Sequence, residues 1–377
     1  MELPTIITTA ILEILGMPDL NWKSARKYKS QLDALRTQMY HLSEDFSQDI
    51  MTESAYPSAY LAFNFPLNFM KTRYVMNRVI TLFPNLFANS KIRVLDIGCG
   101  EGAGLMGILY SISRSRRAIY HGFDASRSMI KQGRSLIRII TRQNPLPRIR
   151  MEQKNAANGL LKLKERYDLI ILSNSLIEIS SHMPGTLRYI ERISKHLTEN
   201  GILIIIEPAL VSASRCIMEL RDHLMAKQKL NILLPCLHNH PCPLYGLRQG
   251  KEWCHQSIPW NPPQYMHIIN KNLNREIKML KFSYIILSPQ NYQTPHGYTV
   301  ISPLLREKGK KKCYLCTDQG RIELVRLKKN RSSNNKDFDR ISKGDIISVQ
   351  GGERPRLGYT NITTDTRIRI FTNARLP

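Results

Sequence analysis

Hydrophobic positions follow two different periods along the chain, and the period changes near residue 91. In residues 1–90, apolar side chains recur at spacings of three and four, as Ile11, Leu12 and Leu15 illustrate, with Lys and Arg between them. This spacing collects apolar side chains on one face of a helix. The pattern therefore predicts a helical N-terminal region, 1–90.

From residue 91 onward, short apolar runs alternate with amphipathic stretches. The runs are IRVLDIG, AIYHGFDA, YDLIILSNS, GILIIIEPA and FSYIILS. Strands of this kind, separated by helices, are typical of a parallel sheet that is covered on both faces. The alternation predicts an α/β domain over 91–300. Inside it, residues 233–263 are rich in Pro, Cys and His and follow neither period, which predicts an insertion. Residues 301–377 are basic and contain short strand-like runs, which predict a small C-terminal β extension.

A glycine-rich loop, VLDIGCGEGAG, follows the first predicted strand and precedes a predicted helix. Gly98, Gly100 and Gly102 allow a tight turn and bring a ligand against the backbone at the start of that helix. Asp96 precedes the glycines, where a carboxylate can face a cationic amino acid. The loop lacks the lysine of a phosphate-binding loop. These details favour S-adenosylmethionine (SAM) as the ligand.

Polar residues follow three further predicted strands. Asp124 ends the second strand, where a carboxylate accepts hydrogen bonds from ribose hydroxyls. Asn155 follows the third strand and is our candidate for the adenine edge. Asn174 follows the fourth strand and completes the predicted cofactor site; with Glu178 it is also a candidate for orienting a methyl acceptor. No catalytic residue is assigned. In this order, the residues resemble the cofactor site of class I methyltransferases, and the resemblance implies a Rossmann-like sheet.

Cysteines cluster in the Pro-rich segment and again near residue 315. Cys236, Cys242 and Cys254 lie in a loop stiffened by proline, and Cys313 and Cys316 follow in KKCYLCTDQG. Four thiolates are the usual complement of a 4Fe–4S cluster or of a structural zinc ion. Nearby histidines keep zinc as an alternative. The spacing predicts a metal site but does not choose the metal.

The chain resembles the methyltransferase-like family of mitochondrial small-ribosomal-subunit proteins and their bacterial homologues. The motifs that carry the resemblance are LDIGCGEG, EPALVSASRCIMELRDHL, the PC-x5-CPL-x9-WCH arrangement, KFSYIIL and CTDQGRIE. The resemblance implies a 4Fe–4S cluster held by Cys236, Cys242, Cys254 and Cys316, with Cys313 as the competing fourth ligand. It also implies association with the small ribosomal subunit during assembly.

The charge and composition of the chain indicate which classes of partner it can bind. The chain has 55 Lys and Arg against 30 Asp and Glu, a formal net charge of +25, and 42% hydrophobic residues. This excess favours a polyanion such as rRNA as partner. No apolar run approaches the roughly 20 residues of a membrane span. The first residues resemble neither a secretory signal nor a transit peptide, so we expect a bacterial cytoplasmic location, with the mitochondrial matrix as the alternative.

The sequence leaves three functional hypotheses. The first is a SAM-binding, iron–sulfur-containing protein that binds small-subunit rRNA, acts in subunit assembly or translation, and methylates rRNA. The second is a non-catalytic assembly factor in which cofactor and cluster stiffen an RNA-binding surface. The third is a zinc-stabilised methyltransferase that acts on a protein or a small molecule. The oligomeric state is not predicted.

Overall fold

The computed structural model describes most of the chain. The described residues are 2–47, 56–87, 91–112, 117–156, 160, 163–180, 182–227, 229–246, 252–271, 277–356 and 358–372. They form two compact units, each assembled from segments that are distant in sequence. Unit 1 comprises the described residues within Met1–Met76, Asn89–Ile179 and Pro259–Leu280; unit 2 comprises those within Asn77–Ala88, Ser180–Ile258 and Lys281–Pro377. The division into 1–90, 91–300 and 301–377 stays a prediction.

Helices and strands alternate through the middle of the chain. The helices are α1 (Thr5–Ile14), α2 (Lys29–Ser47), α3 (Phe65–Leu82), α4 (Ala103–Leu109), α5 (Arg127–Gln143), α6 (Leu176–Ile179), α7 (Met183–Ser194), α8 (Val211–Lys227) and α9 (Gln264–Asn270). The first eight strands are β1 (Lys91–Ile97), β2 (Arg117–Asp124), β3 (Arg148–Gln153), β4 (Tyr167–Ser173), β5 (Leu197–Pro208), β6 (Asn231–Leu234), β7 (Gln256–Pro259) and β8 (Met279–Ser288).

Unit 1 contains a parallel sheet in the order β3-β2-β1-β4. Strands β1 and β4 are almost entirely buried, and the edge strand β3 has one buried residue, Met151. Helix α5 begins after Ser126, whose hydroxyl accepts the Met129 N–H at 3.3 Å, and it buries a stripe that includes Leu136 and Ile140. A parallel sheet buried on both faces is what the near-continuous apolar runs predict.

A π-helix precedes α3 in the N-terminal region. It spans Tyr60–Asn64, after a short helical turn at Pro57–Ala59. Because the extra residue of a π-helix shifts the register of side chains around the axis, such segments are frequent at functional sites. The predicted helical N-terminal region is confirmed, and residues of the π-helix and of the first turn of α3 reach the site described below.

Unit 2 contains antiparallel pairs and a second sheet. Strand β8 pairs antiparallel with β5 and with β6. The second sheet has the order β14-β15-β12-β11-β9-β13-β16, and β10 pairs with β11. Its strands are β9 (Tyr298–Val300), β10 (Leu305–Glu307), β11 (Lys310–Thr317), β12 (Gly320–Leu327), β13 (Ile346–Gln350), β14 (Glu353–Arg356), β15 (Tyr359–Ile362) and β16 (Arg367–Thr372). This is the predicted C-terminal β extension, with an apolar core around Leu324, Phe338 and Ile347.

The α/β, Rossmann-like fold is therefore confirmed. The glycine-rich loop lies between β1 and α4, at the carboxyl end of the parallel strands, where ligands bind in such sheets. Among the described helices, none combines the length and the apolar character that crossing a membrane requires.

Candidate functional site

The first candidate site is a cavity of about 340 Å³ in unit 1, at the carboxyl ends of β1, β2 and β4. We call it the glycine-loop cavity. Five of the residues predicted from the sequence line it. They are Asp96, Gly98, Gly100, Asp124 and Asn174.

The glycines take backbone conformations that other residues avoid. Gly98 has φ of 71° and Gly100 has φ of 49°, both in the left-handed region. A Cβ on Gly98 would also lie 2.6 Å from the Cβ of Ser175, which donates its hydroxyl to the Ile97 carbonyl. The loop therefore depends on glycine for both conformation and space. Gly102, with φ of 89°, caps α4 but does not line the cavity.

Asp96 is buried beneath the loop. One carboxylate oxygen, Oδ2, accepts the Leu105 N–H at 3.1 Å. Burial, with a smaller contribution from repulsion by Asp124, raises the pKa of this carboxyl to about 7. A Cβ on Gly104 would lie 2.6 Å from Oδ2, so Gly104 leaves the room that this carboxylate occupies. Our sequence analysis did not single out Gly104.

Asp124 fixes the glycine-rich loop by a hydrogen bond to its backbone. Its Oδ2 accepts the Gly100 N–H at 2.8 Å, and its Oδ1 accepts the Ser126 N–H at 2.8 Å. The carboxylate therefore holds the loop to the second strand while it faces the cavity. Contact with ribose hydroxyls, the predicted role of Asp124, stays a prediction.

Three polar atoms around the cavity are buried and have no hydrogen-bond partner among the residues that the structure describes. They are Asp96 Oδ1, Ser173 Oγ and Asn174 Oδ1. Asn174 has φ of 56°, a left-handed conformation that is rare outside glycine. Since buried polar atoms are normally paired, these atoms fit a polar ligand. A cavity lined by such oxygen atoms suits SAM, whose amino group and sulfonium are cationic.

Two residues of the helical N-terminal region reach the same cavity. Tyr60 and Asn68 line it, and the Asn68 amide donates to the Tyr60 hydroxyl at 3.2 Å. Sequence analysis missed both, because their periodicity indicates only a helix. Asn155 is exposed, two residues beyond the end of β3, and is not among the lining residues. Its predicted contact with adenine stays a prediction.

Glu178 also lines the cavity, four residues after Asn174. Its side chain is accessible to solvent, yet the surrounding protein desolvates the carboxyl. This desolvation, followed by repulsion from Asp124, raises the pKa of Glu178 to about 7. A carboxyl group with that pKa exchanges a proton readily near neutral pH.

The second candidate site is a cavity of about 50 Å³ in unit 2, lined by Cys236, Cys242, Cys254 and Cys316. We call it the cysteine cavity. Its four thiols come from the segment after β6, from the Pro-rich loop and from β11. Within the described part of the chain, however, no group of three or more His, Cys, Asp or Glu side chains is arranged to hold a metal ion.

The thiols influence one another. Burial raises the pKa of all four, to about 11 for Cys242 and about 12 for Cys254. For Cys316, the next causes are the charges of the other three cysteines. These groups are close enough for each ionised thiol to oppose ionisation of the next.

A buried ion pair lies against the thiols. The Arg221 guanidinium is 2% exposed, hydrogen-bonds to Cys236, and donates to the His238 carbonyl at 2.8 Å and to Asp222 at 2.5 Å. Asp222 in turn accepts the Cys242 N–H at 2.9 Å. Attraction to Arg221 opposes the rise in the pKa of Cys236. Sequence analysis missed Arg221 and Asp222.

Cys313 and Cys316 lie on opposite faces of β11. Cys313 is fully buried in the apolar core of the second sheet, and burial alone raises its pKa to about 12. Cys316 faces the cysteine cavity, where His238 Nε2 lies 3.4 Å from its sulfur. Residues three apart on a strand point to opposite faces. The structure therefore brings Cys316, rather than Cys313, to the other three thiols.

Residues 306–343 contain thirteen Lys and Arg against five acids, and part of this basic run is internal. Asp339 accepts hydrogen bonds from Lys311, Arg326 and Arg331, and together these cations hold the pKa of its carboxyl far below the usual range. Because Arg326 is 3% exposed, this group stabilises the β module. These three cations are therefore paired within the module, and the Arg331 side chain remains 67% exposed. Residues 111–150 form a second basic run, with ten Lys and Arg against one acid. In it, Arg134 donates to the Met151 carbonyl at 3.1 Å, and residues 113–116 lie outside the described residues.

Comparison with known proteins gives one family. The model of the family described as "Mitochondrial small ribosomal subunit Rsm22" matches residues 54–347. No curated protein matches the chain.

Solved structures with similarity to the chain include several methyltransferases. The SAH-bound methyltransferase PaMTH1 of Podospora anserina is 20% identical, with a TM-score of 0.30, and the match covers 39% of this chain and 68% of that one. The plantazolicin methyltransferase BpumL, also with SAH, is 11% identical, with a TM-score of 0.38 and coverages of 70% and 99%. An O-methyltransferase from Bacillus cereus, in complex with SAH, is 11% identical, with a TM-score of 0.35 and coverages of 58% and 80%.

Proposed function

The chain belongs to the mitochondrial small ribosomal subunit Rsm22 family, and we propose that it is a SAM-binding, methyltransferase-like protein that binds small-subunit rRNA and acts in subunit assembly or translation. One observation carries the proposal. The family match, 54–347, includes every residue that lines the glycine-loop cavity and the cysteine cavity. Both cavities therefore lie in the part of the chain that defines the family.

In the proposed cofactor complex, the glycine-loop cavity holds SAM. Bound SAM supplies a methyl group on a cationic sulfur. Asp96 offers its buried Oδ1 to the cationic amino acid end, Asp124 accepts from the ribose, and the backbone of Gly98 and Gly100 allows close approach. The orphaned Asn174 Oδ1 gives a further acceptor.

A second candidate function is methyl transfer to rRNA, and Glu178 favours it. In-line transfer requires the acceptor to be held against the methyl group. Glu178 is accessible at the cavity and has a pKa of about 7, so its carboxylate can accept a proton from an acceptor amino group or hydroxyl. The non-catalytic assembly factor is the alternative, in which Glu178 has no such role.

We further propose that the cysteine cavity is the site of a 4Fe–4S cluster, with Cys236, Cys242, Cys254 and Cys316 as ligands. Two observations support this. Four thiols from distant segments meet at one cavity, and the buried Arg221 places a positive charge beside the first. Zinc is the alternative occupant. The bacterial cytoplasm, with the mitochondrial matrix as alternative, stays our proposed location.

The experiment that tests the ribosomal role is deletion of the gene followed by complementation. We expect deletion to cause unprocessed small subunits to accumulate, and the tagged full chain to co-sediment with small subunits or their precursors. Normal subunit profiles in the deletion strain, together with no co-sedimentation, would contradict the proposal.

The same strain separates the two functions of the glycine-loop cavity. Complementation with Glu178→Gln keeps the shape of the side chain and removes the base. If an rRNA methyl group disappears in the deletion strain and stays absent with Glu178→Gln while subunits mature, methyl transfer is established as a separate activity. If no rRNA methyl group disappears on deletion, the non-catalytic function stands.

Anaerobic purification decides the metal. We expect a brown protein with about four iron and four sulfide per chain. A colourless protein with stoichiometric zinc would favour the zinc alternative.

A further inference from the structure

The outer face of strand β16 combines positive charge with an exposed aromatic ring. Arg367, Arg369 and Phe371 alternate with Ile368 and Ile370, which pack into or against the core of the second sheet. Both arginines are exposed, and Phe371 is 45% exposed. Alternation along a strand places Arg367 and Arg369 on one face, and the exposed Phe371 follows them at the irregularity where the pairing with β13 shifts register between Ile346 and Ile347. Among the residues that the structure describes, neither guanidinium is held in an ion pair.

The neighbouring strand β13 extends this face with uncharged polar side chains. Ser348 is opposite Arg369, and Gln350 is opposite Arg367. Residues directly opposite in an antiparallel pair lie on the same face. Neither strand contains an acidic residue, so the face carries a net positive charge with hydrogen-bonding groups beside it. We call these five residues the β16 face.

An open cleft adjoins the β16 face. Its volume is about 550 Å³, and Ser348 and Gln350 are among its lining residues. The other walls include His240, His296 and one carboxylate, Asp318. The β16 face is therefore continuous with a polar recess that has ring-shaped side chains in its walls.

We propose that the β16 face binds single-stranded RNA. Arg367 and Arg369 contact backbone phosphates, a base stacks on Phe371, and Gln350 and Ser348 offer hydrogen bonds to base edges or to 2′-hydroxyls. Aromatic rings on an exposed sheet face, flanked by cations, are how many proteins bind unstacked bases. Duplex RNA does not offer a base to Phe371, because its bases are already stacked.

This inference deepens the proposed function, on which it rests, by assigning a surface and a conformational class of RNA. Family membership does not imply it, since the family match ends at residue 347 and β16 lies beyond it. The assignment concerns this chain's own residues.

The test measures binding of the full chain to a fluorescein-labelled 12-nucleotide RNA of mixed sequence over a series of salt concentrations. Phe371→Leu keeps an apolar side chain but removes the ring, and we expect affinity to fall roughly tenfold. The double variant Arg367→Gln, Arg369→Gln should also lose affinity for the RNA. Its plot of log affinity against log salt concentration should be shallower by about 1.4 in slope, since each phosphate contact contributes about 0.7 for single strands.

The matched control is the double variant Lys328→Gln, Lys329→Gln. These exposed lysines lie in the short 3-10 helix after β12, so the variant removes the same number of positive charges from residues outside the β16 face. We expect it to bind the RNA nearly as well as the unmodified chain. A self-complementary duplex of the same length supplies the second control, and we expect Phe371→Leu to leave duplex affinity unchanged.

Three results would overturn the inference. Equal losses in the two double variants would show that only net charge matters. If Phe371→Leu binds single-stranded RNA as well as the unmodified chain, or loses affinity equally for the duplex, no base stacks on Phe371. Binding of poly-glutamate that depends on Phe371, with no effect on RNA, would assign the face to an acidic protein. Co-sedimentation with small subunits, measured on the same variants, stays the separate test of the proposed function.

Discussion

The two cavities are built in opposite ways. The glycine-loop cavity takes its loop from ten consecutive residues or so, and the strand ends around it come from one parallel sheet. The cysteine cavity takes single thiols from segments as far apart as Cys236 and Cys316, and burial raises the pKa values of those thiols. The first is preformed by backbone geometry. The second is a set of buried thiols that, in the proposed cluster site, would have to lose their protons before they could bind metal.

The largest effect is expected at the strand that carries two cysteines. Cys316→Ser should abolish the visible absorption and lower the thermal stability of the purified protein, because metal binding and folding are coupled. Cys313→Ala is the matched variant, three residues away on the opposite face of β11. It should lose stability through its cavity in the apolar core but keep iron and colour. Absorption spectra, iron content and melting curves measure this, and loss of iron in Cys313→Ala alone would reverse the ligand assignment.

A substitution in the loop tests whether the other cavity depends on the backbone alone. Gly98→Ala combines a left-handed φ with a Cβ that would lie 2.6 Å from Ser175. Since strain of this kind costs about 1–3 kcal/mol, we expect SAH affinity, measured by calorimetry, to fall by roughly one to two orders of magnitude. Iron content should not change.

Gly309→Ala is the control for that experiment. Gly309 has a similar φ of 76° but nothing within 4 Å of its Cβ position. It should therefore strain the backbone in unit 2 without weakening SAH binding. Equal loss of SAH affinity in both variants would mean that general destabilisation, and not the cavity, is being measured.

A smaller effect is expected from the buried cation of the cysteine cavity. Arg221→Lys keeps the charge but loses the planar guanidinium that reaches Cys236, Asp222 and His238. Partners that orient metal ligands typically change metal affinity by 10- to 100-fold, so we expect faster iron loss to a chelator. Arg215→Lys is the control, because Arg215 is on the same helix but donates to the carbonyls of Tyr245 and Glu252. Equal rates of iron loss in both variants would mean that Arg221 does not influence metal affinity.

The smallest effect is a pH dependence of the glycine-loop cavity. The pKa of Asp96 is raised to about 7, and a cationic amino acid binds the ionised form. SAH affinity should therefore rise with pH, by up to about tenfold per unit below pH 7, and level off above it. Asp96→Asn should remove the dependence, whereas Glu178→Gln should retain it. A flat profile for the unmodified chain would contradict the assigned contact.

The same carboxyl group gives a stability change of opposite sign. An acid whose folded pKa lies above its unfolded value favours the folded state at low pH, and that contribution is lost as pH rises from about 4 to 7. Asp96→Asn should therefore flatten the melting temperature across this range. No flattening would mean that other groups dominate the dependence.

Sequence analysis predicted what is local and missed what is long-range. The sequence analysis singled out Asp96, Gly98, Gly100 and Asp124, which line the cavity, because strand, turn and helix are consecutive there. Tyr60 and Asn68 were missed because a helical pattern does not say which turns face a cavity formed by distant strands, nor that the turn at Tyr60 becomes a π-helix. Gly104 was missed because glycine is needed there to leave room for the carboxylate of Asp96, which lies eight residues earlier.

Burial and pairing account for the other gaps. The choice between Cys313 and Cys316 follows from alternation on β11, and recognising KKCYLCT as a strand would have given it. Arg221 was read only as part of a helix, since its contacts with Asp222 and Cys236 require the folded loop. The sequence does not distinguish the cations of the run 306–343, but Asp339 pairs with three of them, and one of these, Arg326, is buried.

The position of Cys316 on a late strand also has a consequence during synthesis. A ribosome makes the chain from its N-terminus, so the first three thiols leave the exit tunnel some sixty residues or more before the last one. A nascent or truncated chain that stops before β11 offers an incomplete ligand set. Under the proposed ligand assignment, loading of the cluster would therefore report that translation of this polypeptide has passed residue 316.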